Sequence, residues 1–116
     1  MTTQALLIAR ADVPNEADRV PFDRWYRDRH MPDALRVFGA LRAWRTWSRT
    51  DPSKHTAFYE FHSLEAANAA IQSPGIKELI AIFDAAWGSR VTRTRDIVEV
   101  VQRLPNPPHK APNRGE

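Results

Sequence analysis

The apolar positions change period along the chain, and each change predicts an element. Residues 4–12 (QALLIARAD) form a short, nearly continuous apolar run, which predicts a buried strand. A turn over 13–17 follows, punctuated by Pro14-Asn15. The period then lengthens. Phe22, Trp25, Tyr26, Arg29 and Asp33 recur at i, i+3, i+4, i+7 and i+11, and His30 lies at the edge of that stripe, so a helix is predicted. Pro21 fits its first turn and Asp23 its dipole. Pro32 is expected to interrupt or bend it, and Gly39 to end the segment. Asp23, Arg24, Arg27 and Asp28 fall on the opposite side and read as solvated. Residues 40–49 and 54–62 alternate with the period of strands, and Thr50-Asp51-Pro52-Ser53 between them is turn chemistry, which predicts an antiparallel hairpin. Ser63 caps a second helix over LEAANAAIQ, which stops at Pro74-Gly75. Ile76, Leu79, Ile80, Phe83 and Trp87 mark a helical insert, and residues 90–104 a last strand centred on DIVEVV.

That order is an α+β, ferredoxin-like βαββαβ plan with a four-stranded antiparallel sheet. It predicts one domain over residues 1–104. Residues 105–116 carry four prolines in twelve positions, which predicts a flexible proline-rich tail.

The strands read as apolar on both faces. Leu41, Ala43, Arg45 and Trp47 oppose Arg42, Trp44, Thr46 and Ser48; Ala57, Tyr59 and Phe61 oppose Thr56, Phe58, Glu60 and His62; Ile97 and Val101 oppose Val98 and Val100. An antiparallel sheet with one wet face is apolar on one side only. Helices cover one face, and a second copy packed sheet to sheet is the simplest cover for the other, so a homodimer is expected.

Composition removes several classes. The net charge is +3, and +2 of it lies in residues 103–116 (Arg103, Lys110 and Arg114 against Glu116). Arginines elsewhere alternate with acids and form no basic stripe, which argues against a nucleic-acid partner. The chain has no cysteine, so disulfides and zinc–thiolate sites are excluded. No apolar run approaches a membrane span, and the N-terminus lacks the form of a signal peptide, so a cytoplasmic protein without a membrane partner is expected. His30, His55, His62 and His109 fall on separate elements with no ligand spacing, and no metal site is predicted. There is no phosphate-cradling glycine loop and no G-x-S-x-G, so neither a nucleotide cofactor nor a serine hydrolase is predicted.

The stretch F-D-R-W-Y-R-D-R-H-M-P-D, followed by Phe38-Gly39 and an aromatic-rich hairpin, resembles the EthD-like group of dimeric α/β-barrel proteins. Phe22, Trp25, Tyr26, His30, Pro32, Asp33 and Gly39 carry the likeness, which extends over residues 4–101. It implies two sheets packed face to face as a dimeric barrel. It also implies a pocket in each subunit between helices and sheet, lined by the histidine and the aromatic pair. Relatives of this fold include cofactor-free monooxygenases, isomerases, cyclases, dehydratases and proteins without known activity, so the likeness is specific for fold and weak for chemistry.

His30 is the candidate for proton transfer, since an imidazole exchanges a proton near neutrality; the structural alternative is a helix-end histidine bonded to backbone carbonyls. Tyr26 is a candidate donor. Trp25, Tyr59 and Phe22 are candidate substrate walls, or else plain core. Tyr59, Phe61 and Trp47 share a face that belongs either to the cavity or to the dimer interface. Arg29 and Arg45 either bind a carboxylate or enolate oxygen, or form salt bridges to Asp33 or Glu60. Arg93 and Arg95 carry the same two readings, and Asp84 is a candidate to orient His30. Two functions follow. One is a small cofactor-independent enzyme (oxygenase, isomerase, cyclase or dehydratase) acting on a compact apolar or aromatic substrate. The other is a non-catalytic dimeric protein that binds a small ligand or serves as an accessory.

Overall fold

In the computed structural model, which describes residues 4–107, four strands form one antiparallel sheet. They are β1 (Ala5–Asp12), β2 (Arg42–Trp47), β3 (Lys54–Phe61) and β4 (Thr92–Glu99), in spatial order β2-β3-β1-β4. With the helices between them this is the ferredoxin-like arrangement. Residues 108–116, most of the expected tail, lie outside the described residues.

The last strand is shorter than its apolar sequence suggests. Glu99 pairs with Ala5, the first residue of β1, and Val100 N–H donates to the Gln4 carbonyl at 2.9 Å. Among the described residues the pairing goes no further, and Val101 and Leu104 lie exposed rather than in the sheet. The β2–β3 hairpin closes as expected: Ser48 Oγ accepts from the Thr50 and Asp51 N–H groups, and Asp51 Oδ1 from Ser53.

The first helical segment runs unbroken from residue 19 to 38, through α1 (Arg19–Trp25), a π-helical turn (Tyr26–His30) and α2 (Met31–Phe38). Pro32 does not interrupt it. A proline lacks the N–H for an i→i−4 bond, and its ring crowds the carbonyl four residues back. Here the preceding turn widens, and Met31 N–H donates to the Tyr26 carbonyl five residues away, so the path continues without a break. Gly39 ends α2 in the left-handed region (φ 65°), its N–H bonded to the Leu35 carbonyl. Ser63 Oγ caps α3 (Leu64–Ile71) by accepting from Ala66 N–H, and α4 (Pro74–Trp87) follows at once.

The helices pack on one face of the sheet only. Leu7, Ala57, Tyr59 and Phe61 meet Phe22, Tyr26, Leu79, Phe83 and Trp87 in a single core. The outer face carries Leu6, Ile8, Phe58 and Trp44, with Trp44 stacked on Phe58 at 5.5 Å and 40 % exposed. No described helix crosses this second apolar face.

Candidate active site

A cavity of about 40 Å³ lies between the inner face of the sheet and α4. Leu7 and Ala9 of β1 and Tyr59 of β3 form its floor; Tyr26, His30 and Phe38 close one side, Ile76, Leu79 and Ile80 the other. Arg93 and Arg95 of β4 stand at its edge.

The π turn decides which polar group faces this space. On a regular helix Arg29 shares the stripe of Trp25 and Tyr26. The wider turn rotates Arg29 out to solvent and sets His30 on the inner side. The expectation that Arg29 faces the pocket is therefore wrong, because the periodic template assumed one helical pitch. His30 lies between two aromatics: Trp25 stacks on it at 5.0 Å, and Tyr26 meets it edge-on at 4.8 Å. Burial, reinforced by the charge of Arg93 and opposed by Asp33, pushes the imidazole down to about 4. It is neutral at pH 7, the form that accepts a proton.

The Tyr26 and Tyr59 hydroxyls meet at 3.4 Å, long for an O–H···O pair, so both retain capacity for a ligand. Burial pushes Tyr26 up to about 12 and Tyr59 higher still, so both remain protonated donors.

Three other expected site residues lie elsewhere. Phe22 is fully buried at the centre of the aromatic core, against Trp47, His55 and Trp87, and does not reach the cavity. Trp25 backs His30 rather than lining the space. Arg45 is held away from the cavity: its Nη1 donates to Asp23 Oδ1 at 2.7 Å, which is the salt-bridge reading with a partner other than Asp33 or Glu60. Asp84 pairs with Arg93 at 2.9 Å and does not orient His30.

The pattern missed two residues that are bonded into the structure, half-buried Asp23 and buried His55. Asp23 read as solvated, yet its Oδ1 accepts from both Arg45 and the Trp47 indole N–H (2.8 Å). Burial works to raise its carboxyl, but the bonds from Arg45 and Trp47 and the charge of Arg45 prevail and hold it below its ordinary value. His55 is wholly buried beside this pair; its Nε2 accepts from Arg45 at 3.3 Å, and its Nδ1 has no partner among the described residues. Burial, then the charge of Arg45, lowers it to about 4. Its phase with Ala57, Tyr59 and Phe61 was the available signal, since those alternate positions turn inward together. Among the described residues no group of three metal-ligating side chains converges, and no helix is long and apolar enough to cross a membrane.

This fold recurs in known structures. SnoaB, a cofactor-independent oxygenase from Streptomyces nogalater, superposes with a TM-score of 0.67 at 16% identity, over 90% of this chain and 100% of that one. An EthD family protein from Bacillus halodurans matches with a TM-score of 0.61 at 17% identity, over 80% of this chain and 96% of that one. A conserved protein of unknown function from Bacteroides thetaiotaomicron does so at 0.61 and 13%, over 86% and 100%. These likenesses establish the ferredoxin-like fold. No family model and no curated protein matches the chain.

Proposed function

We propose that the protein is a small cofactor-independent enzyme that moves a proton on a compact apolar or aromatic substrate in this cavity. One observation carries the reading: a neutral imidazole at the cavity wall, with two protonated phenols on the same space. His30 takes a proton from a carbon or hydroxyl next to a carbonyl. The charge that develops on the substrate oxygen is met by the Tyr26 and Tyr59 hydroxyls. The imidazolium formed beside that oxyanion is stabilised by it, which offsets the low basicity of the resting His30. Deprotonation of this kind is the step that oxygenation, isomerisation, cyclisation and dehydration have in common. That SnoaB, a cofactor-independent oxygenase, shares the fold supports the reading.

The reading includes a homodimer joined through the outer sheet face. The stacked Trp44 and Phe58 with Leu6 and Ile8 support it, because solvent is otherwise left against a continuous apolar strip. Trp44→Glu is then expected to sediment as a monomer where the wild type sediments as a dimer. A wild-type monomer at micromolar concentration removes the dimer from the reading.

The catalytic test is turnover of aromatic ketones, phenols and hydroxy acids by wild type and His30→Gln, followed by oxygen uptake and absorbance. The expected loss in His30→Gln is about 10²- to 10⁴-fold in kcat/KM with the circular dichroism unchanged. Ligands that bind the wild type without any turnover favour the non-catalytic binding protein instead.

A further inference from the structure

We infer that the cavity takes a carboxylate ligand, its apolar body against Phe38, Ile76 and Ile80 and its anionic head paired with Arg95 beside Arg93. This deepens the reading above and rests on the same cavity.

The argument begins with where the two arginines stand. Ala9 pairs with Arg95 and Ala11 with Arg93, so both occupy the inward register of β4, the face that turns to the helices. Ile97 fills the next such position and packs on the core. Packing alone favours a residue like Ile97 at positions 93 and 95 as well. The half-buried Arg93 brings a desolvation cost there without adding to the core, while Arg95 keeps its head in solvent at the cavity edge.

The two cations differ in what holds them. Arg93 is half-buried, its guanidinium 4.0 Å from the centre of the Phe83 ring and bonded to Asp84, so its position is fixed and part of its charge is met. Arg95 has no carboxylate within ion-pair distance among the described residues. Opposite it on β1 is Ala9, whose short side chain leaves the floor open.

The remaining wall gives the sign of the ligand. No acidic side chain lines the cavity; its polar members are two protonated phenols, a neutral imidazole and the two arginines. A cationic ligand meets like charge with nothing to pair against. A neutral one leaves the Arg95 fork unused. A carboxylate fits it in bidentate geometry while its apolar part covers the aliphatic wall.

The cavity has room for only a few waters, so a ring enters as part of the wall yields. Phe38 and Ile80 are half-buried and line the edge, whereas Ile76 and Leu79 are buried.

Calorimetry and thermal shift on the full chain test this with matched probes: benzoate and salicylate against benzamide and salicylamide, on wild type, Arg95→Gln and Arg93→Gln. The expected result is acids binding at least tenfold tighter than the amides and weakening as sodium chloride rises. Arg95→Gln is expected to lose at least tenfold for the acids and nothing for the amides. Arg95 is exposed, so its replacement leaves the fold intact, as a melting curve will verify. Equal binding of acid and amide, or acid binding indifferent to Arg95→Gln, overturns the carboxylate assignment and leaves the His30 reading in place. If neither series binds, both the assignment and the enzyme reading fall.

Discussion

The indole of Trp25 lies nearly parallel to the imidazole of His30, planes 20° apart and centroids 5.0 Å apart. The two residues are five positions apart, a spacing that turns side chains to different flanks of an α-helix. The π turn brings them together, because its hydrogen bonds join residues five apart. The stack also covers one face of the imidazole, and burial is the main cause of its depressed basicity.

It follows that uncovering the ring should restore basicity. In Trp25→Leu the His30 pKa is expected to climb from about 4 toward the ordinary value of ~6.5. Proton NMR titration of the His30 ring reads this directly, and the His55 resonance serves as an internal control. An unmoved His30 resonance means that the charge of Arg93, rather than burial, sets its basicity.

Acid should destabilise the fold well above the carboxylate range. His30 and His55 both titrate near 4 in the folded chain and near ~6.5 when unfolded. Between those values the unfolded state binds more protons, so stability rises with pH across the window and is lost on acidification. Each histidine contributes a slope of up to about 1.4 kcal/mol per pH unit. The charged groups acting on them are Arg93 and Asp33 for His30, and Arg45, Asp23 and, last, His30 itself for His55. Asp23 titrates below its ordinary value and so outside this window. Urea midpoints at pH 7, 5.5 and 4.5 should fall in order, and His30→Gln should flatten the trend by about half. Equal midpoints at all three pH values would falsify the placement of both rings.

Two aspartates five residues apart should behave differently. Asp23 anchors Arg45 and Trp47, whereas Asp28 pairs with its exposed neighbour Arg27. Asp23→Ala leaves the Arg45 charge uncompensated next to His55, and its cost is expected at about 1–2 kcal/mol, the lower part of the range because the carboxylate is over a third exposed. Asp28→Ala is expected to leave the urea midpoint where it was. Equal effects of the two substitutions mean that the Asp23 bonds do not form in solution.

Of these two aspartates Asp28 is exposed as its position predicts, and Asp23 marks where the local pattern stops. Strand alternation, the Thr50–Ser53 turn, the Ser63 cap and Gly39 are local signals, and they led to the ferredoxin-like plan seen here. His30, Tyr26 and Tyr59 do share one cavity. Arg29 faces solvent, and Pro32 does not interrupt the helix, for one reason: the pitch changes over Tyr26–His30, which a single-period template does not represent. Asp23 was misjudged because its partners are 22 and 24 residues away, on a strand whose register no helical pattern carries. Of the two readings for Arg45, ligand contact or salt bridge, the same long-range bond selects the salt bridge, with Asp23 as its partner.

The packing that shapes the cavity wall can be tested at Gly75. A Cβ built on Gly75, in the first turn of α4, falls 2.7 Å from Val37 Cγ1 of α2. Val37 is β-branched and on a helix, where one rotamer dominates, so its methyl has little freedom to swing aside. Gly75→Ala must then push α4 from α2, at a cost of about 1–3 kcal/mol. Against this, alanine is favoured over glycine in a helix by about 1 kcal/mol. The sign of the net change is decided by the contact. In the wild-type background Gly75→Ala is expected to lower the melting temperature. In Val37→Ala the obstructing methyl is gone, and the same substitution is expected to raise it. Phe38 and Ile76, the cavity residues next in sequence to this contact, should register the displacement as weaker ligand binding in Gly75→Ala alone. Additive effects of the two substitutions mean that the helices already stand further apart in solution and that the cavity is wider than the packing here implies.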